Sequence, residues 1–262
     1  MHYMRFALLV LGLVLYSTQG ECRYAFEGFF KEYGGSPWGG MDGRRLDLVA
    51  KFLPDDPVIF EAGGHYGDDT VNFVKKWEDA TIISFEPNPH AFEKLVEKTK
   101  GIENVHSYNL AVHNYNGIAT LHVCHGYYGD NPIFEGASSL LSPTKRKELD
   151  YQGPKIDVPC VILDDWALEN NVDHIDFMWL DLEGVELHVL KSSPRILNTV
   201  KVIYTETNLT DLRIGITEFT ELRTFLESSG FKLLAHWYYE WNQGDAIFVK
   251  KELFDRGFRN PF

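Results

Sequence analysis

The sequence predicts an α/β fold in which helices cover a mostly parallel β-sheet. Strand-like and helix-like segments alternate along the chain, the strand-like segments are short and almost wholly apolar, and several end at an acidic residue. Apolar strands are typical of parallel sheets, which are buried on both faces, and the alternation supplies the parallel crossover connections. Such sheets bind ligands at the carboxyl ends of their strands.

The composition indicates one globular domain with a substantial core. The chain has 262 residues, of which 44% are hydrophobic, and its formal net charge is −13. Nucleic acids and anionic membranes attract basic surfaces, so we expect neither as a partner of this domain. A small-molecule or glycan ligand remains, and the sequence leaves the oligomeric state open.

The residues before the domain resemble an export signal. Arg5 precedes an apolar run over residues 6–16, which is shorter than the ~20 residues that span a bilayer, and Thr18 and Gly20 are small. We therefore predict a signal peptide or short anchor over 1–20, a glycine-rich lead-in over 21–41 and the domain over 42–262. Export is the expected localisation; a wrongly assigned start would leave the chain in the cytoplasm.

The predicted elements follow the alternating pattern. Expected strands are 58–60, 81–85, 104–112 (a strand with its exit loop), 118–123, 155–163, 175–180, 200–204, 231–237 and 246–250. Expected helices are 69–77, one beginning at Asn88 and Pro89, 185–190 and 217–229. Residues 126–153 form an insert. Three cysteines, Cys22, Cys124 and Cys160, lack metal-ligand spacing, and one disulfide stays an open alternative.

A glycine-rich turn follows the first strand. Glu61, Gly63, Gly64 and Gly67 lie between that strand and the next helix, where glycines admit a ligand close to the backbone. The alternative is an ordinary turn. Glu86 ends the second strand, and a carboxylate at this spacing binds ribose hydroxyls. Together these residues predict a site for an adenosine-containing cofactor.

A second acidic group ends the central strand. Asp181, Glu183 and Glu186 follow an apolar run, and buried carboxylates are costly without a purpose. Beside a cofactor, one of them can remove a proton from a substrate hydroxyl. The alternative is that the acids cap the next helix.

These motifs resemble one family. The stretches FEAGGHYGDDT, SFEPNPHAFEKL and IDFMWLDLEGVELHVL are similar to motifs of the FkbM methyltransferases, in the same order, over roughly residues 42–250. The resemblance implies a Rossmann-like class I methyltransferase fold. Its mostly parallel, twisted sheet has seven strands, an antiparallel last strand and helices on both faces.

The resemblance also implies the cofactor, S-adenosyl-L-methionine (SAM), and O-methylation of a sugar-like or other small-molecule or glycan hydroxyl. By this resemblance the cofactor residues are, for the methionine moiety, Glu61, Gly63, Gly64 and Gly67; for the ribose, Glu86; and near the adenine, Asn109 and Ala111.

The expected catalytic residues are Asp181, nearest the methyl group, with Glu183 and Glu206 as bases or substrate ligands. Asp181 and Glu206 are also candidate oxygen ligands for a divalent metal, but the chain has no metal-binding motif, and we predict none. Two residues depart from the family pattern: His65 replaces an asparagine and Trp179 a lysine.

Two other functions use the same features. An NAD-dependent oxidoreductase would share the glycine turn and Glu86, and an exported binding module could retain the fold without catalysis. Residues 126–153, with Tyr127, Tyr128, Ser138 and Ser139, either line an acceptor pocket or simply pack as a loop.

Overall fold

The computed structural model describes residues 43–128, 131–145, 153–209, 213–238 and 243–257. The predicted signal peptide and lead-in, residues 1–41, lie outside this range, as does Cys22. Within it, no helix combines the length and hydrophobicity needed to cross a membrane. Cys124 and Cys160 are both buried.

A seven-stranded sheet forms the centre of the molecule. Its strands are β1 (Val58–Ala62), β2 (Thr81–Phe85), β3 (Val105–Tyr108), β9 (Phe177–Leu180), β10 (Val202–Asn208), β11 (Phe231–Tyr238) and β12 (Gln243–Lys250). They lie in the order β11-β12-β10-β9-β1-β2-β3. β12 is antiparallel to both neighbours, while β3, β2, β1, β9 and β10 pair in parallel. The predicted sheet, with its antiparallel last strand, is confirmed.

The remaining strands form two small sheets. These strands are β4 (Ala111–Val112), β5 (Gly117–His122), β6 (Gly126–Tyr128), β7 (Asn131–Phe134) and β8 (Lys155–Val161). The order β4-β8-β5 makes a three-stranded sheet, and β6 and β7 form a hairpin followed by a 3₁₀ turn over Glu135–Ala137. The segment 104–112, predicted as a strand with its exit loop, contains β3, a tight turn in which the Leu110 N–H donates to the Tyr108 carbonyl, and the two-residue strand β4.

Helices cover both faces of the central sheet, as predicted. They are α1 (Gly43–Ala50), α2 (Asp68–Lys76), α3 (Pro89–Lys98), α4 (Leu163–Glu169), α5 (Glu186–Ser192), α6 (Pro194–Leu197), α7 (Phe219–Ser228) and α8 (Lys251–Gly257). Apolar residues of α1, α2 and α8 pack in one core cluster, and those of α4 to α7 in another. The two clusters share the sheet, since alternate residues of a strand face opposite sides.

Several boundaries differ from the predicted ones. Helices α1, α4, α6 and α8 were not predicted. Asn88 caps α3 as expected: its side chain accepts a hydrogen bond from the His90 N–H, and Pro89 is the first helical residue. Strand β10 continues to Asn208 because its pairing with β12 extends that far, so Glu206 lies inside the strand and not beyond its end.

Candidate active site

A cavity of ≈ 370 Å³ opens at the carboxyl ends of β1, β2, β9 and β10. This volume falls in the range of small-molecule sites, about 300–1,000 Å³. The residues that line it include Gly63, Gly64, His65, Glu86, Ala111, Glu135, Ser139, Asp181, Glu183 and Glu206. The structure therefore brings the glycine turn, Glu86 and the acids of β9 and β10 to one cleft.

The glycine turn forms one wall of the cavity. The N–H groups of Gly63 and Gly64 both donate to the Phe85 carbonyl, at 2.9 and 3.0 Å, which ties the turn to β2. Gly63 has φ +93°, and a Cβ there would lie 2.0 Å from the Asp181 carbonyl oxygen. Only glycine therefore allows the loops after β1 and β9 to meet, and it leaves the cavity open to a ligand.

His65 continues the turn in a left-handed conformation. Its φ is +44°, a region in which histidine, like asparagine, is found more often than most residues. The His65 N–H donates to Glu86 at 2.7 Å, and its ring stacks on Tyr66 with 3.7 Å between centroids. Burial lowers the pKa of the imidazole, so it adds no positive charge near neutral pH. The departure from asparagine thus preserves the backbone geometry.

Glu86 is held by the backbone. One carboxylate oxygen accepts from His65 N–H and the other from Asn88 N–H, at 2.7 and 2.8 Å. Burial raises the pKa of Glu86 to about 7, although the two backbone hydrogen bonds oppose this. Each carboxylate oxygen has two acceptor positions, so both retain one for a ligand. This pair of fixed acceptors fits the two vicinal hydroxyls of a ribose.

Three carboxylates meet at the other end of the cavity. Asp181 follows β9, Glu183 lies two residues later, and Glu206 projects from β10. One oxygen from each lies within 4.8 Å of the others. Like charges this close disfavour full ionisation, so the cluster must take up a proton or a cation, or be relieved by a basic neighbour.

Arg213 relieves one member of this cluster. Its guanidinium forms a buried ion pair with the Glu183 carboxylate. Glu183 has φ +55°, and its carbonyl accepts a hydrogen bond from the Ser139 hydroxyl at 2.9 Å. Because Arg213 occupies Glu183, the carboxylates left to hold a cation are chiefly Asp181 and Glu206. Two carboxylates supply too few protein ligands for a divalent metal, so no metal centre is assigned.

Asp181 and Glu206 both have strongly raised pKa values. Glu206 accepts a 2.7 Å hydrogen bond from the Gln243 side-chain amide on Oε1, while its buried Oε2 has no partner within the structure's described part. Burial, followed by the charges of Glu183 and Asp181, raises the pKa of Glu206 well above its ordinary value. Asp181 is exposed on the side of the cavity, and partial removal from water by the surrounding protein, followed by the charge of Glu183, raises its pKa as well.

Three predicted cofactor residues do not line the cavity. Glu61 is fully buried behind the glycine turn, where it accepts a 2.6 Å hydrogen bond from the Thr70 hydroxyl, and burial raises its pKa to about 7. Gly67 packs where a Cβ would meet Leu95 at 2.9 Å. Asn109 donates from its side-chain amide to the Glu86 carbonyl at 2.8 Å. These residues hold the loops that the ligand would contact. Ala111, by contrast, lines the wall.

Two further residues of the acidic motif also have structural positions. Glu186 accepts hydrogen bonds from the N–H groups of Leu182 and Gly184, both at 3.1 Å, and so shapes the loop after β9. Trp179 is buried on the α1 and α2 face, stacked on Tyr204 with 3.9 Å between ring centroids. The substitution of tryptophan for lysine therefore contributes to the core rather than to the cavity wall.

Sequence reasoning missed Glu135, Arg213 and Gln243. Glu135 belongs to the insert, lines the cavity and accepts hydrogen bonds from the Tyr66 hydroxyl and the His90 ring at 3.3 and 2.7 Å. Ser138 and Ser139 also line the cavity. The side chains of Tyr127 and Tyr128 lie outside the described residues. No local motif marks these positions, because each reaches the site through tertiary structure.

The strand order and the paired acidic sites define a class I SAM-dependent methyltransferase. A family model described as the methyltransferase FkbM domain matches residues 61–233. The chain belongs to the FkbM methyltransferase family, and its cofactor is SAM. The alternatives of an NAD-dependent oxidoreductase and a non-catalytic module are set aside by this assignment.

Individual proteins show the same relationship. The chain is 28% identical over 192 residues to 2-O-methyltransferase NoeI of Sinorhizobium fredii, covering 72% of this chain and 77% of that protein. It is 27% identical to Methyltransferase 1 of Beauveria bassiana, covering 70% and 75%. Among solved structures, TrmK of M. capricolum with S-adenosyl-homocysteine is 13% identical, covers 81% of this chain and 70% of that chain, and has a TM-score of 0.44. The fold assignment does not depend on this structural match.

Proposed function

We propose that this methyltransferase transfers the methyl group of SAM to a hydroxyl oxygen of a small, sugar-like acceptor, either free or within a glycan. The observation that carries the proposal is the Asp181–Glu206 carboxylate pair at the end of the cavity opposite Glu86. A relative named as a 2-O-methyltransferase supports oxygen as the atom that is methylated.

The glycine turn and Glu86 would hold the cofactor. Glu86 fits the ribose hydroxyls, Ala111 lies on the adjoining wall, and Gly63 and Gly64 give room for the methionine moiety beside Asp181. SAM, when bound, would supply a methyl group attached to a positively charged sulfur. The leaving group would be the neutral thioether. The protein's contribution is alignment of the acceptor and exclusion of water, and alignment contributes as much as about 7–11 kcal/mol.

Asp181 and Glu206 would accept the acceptor's proton. As the new C–O bond forms and the C–S bond breaks, the hydroxyl hydrogen passes to a carboxylate oxygen and then to solvent. The raised pKa of both groups makes them stronger bases than ordinary carboxylates. Gln243 fixes one oxygen of Glu206 and leaves Oε2 for this proton.

The experiment is product analysis with a panel of mono- and oligosaccharides. Purified enzyme and SAM are incubated with each compound, S-adenosylhomocysteine (SAH) release is measured, and the product is examined by NMR for an O-methyl signal. Asp181→Asn serves as the inactive control. An N-methyl product, or methylation of protein alone, would contradict the proposal.

We also propose export of the chain, on the strength of the charged and apolar pattern of residues 1–20. The mass of the protein recovered from the medium tests this, since a mature chain beginning at Glu21 is expected and a full-length cellular chain would oppose it. Residues 208–210, Asn-Leu-Thr, fit the N-glycosylation pattern, but Asn208 is only 1% exposed, so we expect no glycan on it in the folded domain.

A further inference from the structure

The charge of the cavity bears on which acceptors it admits. Among the described residues that line it, seven are Asp or Glu and none is Lys or Arg. Four of the acids, Asp181, Glu183, Glu206 and Asp69, lie near one another around the ends of β9 and β10, while Glu86 and Glu135 face the other end. An anion entering this cavity would meet acidic groups at both ends.

The basic side chains close to the cavity are already engaged. Arg213 is 3% exposed and pairs with Glu183, and Lys98 pairs with Asp68 at 2.7 Å. The Lys94 ammonium lies 4.1 Å from the centre of the Tyr66 ring, on the Glu86 side. The lining histidine, His65, is neutral because burial lowers its pKa. Among the described residues, the Asp181 end therefore offers a phosphate or carboxylate of the acceptor no basic group other than Arg213, which already pairs with Glu183.

Hydrogen-bonding capacity at that end points the same way. Glu206 Oε2 is a buried oxygen without a partner within the described ranges, and in the ionised form, which takes up the substrate proton, it can only accept hydrogen bonds. Buried, unpaired acceptors favour a ligand that brings O–H or N–H donors.

From these observations we infer that the acceptor end of the cavity, formed by Asp181, Glu183 and Glu206, selects neutral or cationic hydrogen-bond donors and excludes acceptors that carry phosphate, sulfate or carboxylate groups. This inference rests on the proposed function and narrows its substrate class. A neutral or amino-substituted polyol fits; a phosphorylated sugar or a uronic acid does not.

A pair of cofactor analogues tests the charge preference without knowledge of the acceptor. Sinefungin carries an ammonium group at the place of the transferred methyl, whereas SAH has none. Calorimetric titration of the wild-type protein should show sinefungin binding at least about tenfold more tightly, as a charge-assisted hydrogen bond gives. Asp181→Asn and Glu206→Gln should reduce this ratio to about threefold or less while SAH affinity is retained, which shows that each variant is folded.

The matched control is Glu135→Gln, which removes a carboxylate at the Glu86 end and should leave the ratio of the two affinities unchanged. Equal affinities for sinefungin and SAH in the wild-type protein would overturn the inference. Loss of SAH binding altogether would instead contradict the cofactor assignment, so the two failures are distinguishable.

Titration with inorganic phosphate tests whether the acceptor end excludes anionic groups. The SAH complex is titrated with phosphate, with chloride at the same ionic strength as the control. We expect no saturable binding in the millimolar range, and the sinefungin complex should behave alike. Saturable phosphate binding to the SAH complex that Asp181→Asn or Glu206→Gln alters would show that the acceptor end accommodates an anion, and would overturn the inference.

Discussion

The two ends of the cavity hold carboxylates in opposite ways. At one end, Glu86 accepts a backbone N–H on each oxygen. At the other, Asp181 and Glu206 lie close together and next to Glu183, and Glu206 keeps a buried oxygen without a partner in the described structure. The first arrangement fixes a carboxylate as a pair of acceptors. The second leaves a carboxylate oxygen able to take up a proton. The Glu86 end therefore suits ligand binding, and the Asp181–Glu206 end suits proton removal.

The difference in support has a physical origin. The carboxylate of Glu86 is held by backbone N–H groups of the glycine turn (His65) and of the start of α3 (Asn88). The side-chain amide of Asn109 also donates to the Glu86 carbonyl. Around Asp181 the support comes from side chains, Arg213 and Gln243, that return from distant parts of the chain. The binding end is therefore built by loops, and the reacting end by tertiary contacts.

The largest effect on stability and cofactor binding should come from a change in the glycine turn, which contacts both ends of the cavity. Gly63→Ala places a Cβ 2.0 Å from the Asp181 carbonyl in a backbone with φ +93°. We expect the free energy of unfolding to fall by about 3 kcal/mol or more, and SAH binding to be lost. Urea unfolding and calorimetry measure both quantities.

Gly101→Ala is the matched control, since Gly101 has φ +83° but no atom within 4 Å of the added Cβ. It should cost about 1 kcal/mol, the strain of the left-handed backbone alone. Equal losses for the two variants would mean that contact with β9 is unimportant.

Asp181→Asn should separate chemistry from binding. The amide cannot accept the hydroxyl proton, so kcat should fall by about 10²–10⁴-fold while SAH affinity changes little. Glu86→Gln should instead weaken SAH binding. If the Asp181 variant turned over at the wild-type rate, the basic role assigned to this end of the cavity would be wrong.

A pH dependence should distinguish Glu61 from the cavity acids. Burial raises its pKa to about 7 from an ordinary 4.5, so the folded state binds the proton more tightly than the unfolded state. Its contribution to stability is present at low pH and is lost as the pH rises from about 4.5 to about 7. Between about pH 5 and about pH 8, Glu61→Gln should therefore reduce the pH-dependent fall in unfolding free energy by about 2 kcal/mol.

Thermal or urea unfolding of the ligand-free protein at several pH values gives this slope. Gln can still accept the Thr70 hydrogen bond, which makes it a conservative change. An unchanged slope would show that Glu61 is ionised in the folded protein.

Glu86→Gln should weaken the cofactor end. The glutamine amide cannot accept both the His65 and Asn88 N–H groups and the ribose hydroxyls, so SAH affinity should fall by roughly 10–100-fold. The sinefungin-to-SAH affinity ratio should stay at its wild-type value, because Glu86 lies at the opposite end. A change in that ratio with intact SAH affinity would reverse the assignment of the two ends.

The smallest effect is expected for Asn109→Ala. The side chain donates to the Glu86 and Pro87 carbonyls at 2.8 and 3.1 Å but does not line the cavity. We expect a loss of about 1 kcal/mol in stability and only a few-fold weaker SAH binding. Calorimetry that gave a loss as large as that of Glu86→Gln would place Asn109 in direct contact with the cofactor.

The binding end was accessible from the sequence because its motifs are local. Gly63 and Glu86 directly follow apolar strands, and the carboxyl ends of parallel strands meet at one edge of the sheet. The same reasoning brought Asp181 to the cleft. It could not separate residues that face the cavity from Glu61, which stands at the same strand end but points behind the wall.

The supporting residues of the reacting end required the structure. Gln243 lies on antiparallel β12 and reaches Glu206 only because that strand is inserted beside β10. Arg213 returns from the segment after β10, and Glu135 comes from the insert. That part of the exit loop after β3 forms β4 also could not be predicted, because β4 pairs with β8, which is distant in the sequence.

The central claim is that one cavity holds the nucleoside at Glu86 and the sulfur beside Asp181. A crystal structure of the protein with SAH tests it most directly. The account predicts that both ribose hydroxyls lie within hydrogen-bond distance of the Glu86 carboxylate and that the sulfur faces the Asp181–Glu206 pair. A nucleoside bound against Asp181, or one lying outside this cavity, would contradict it.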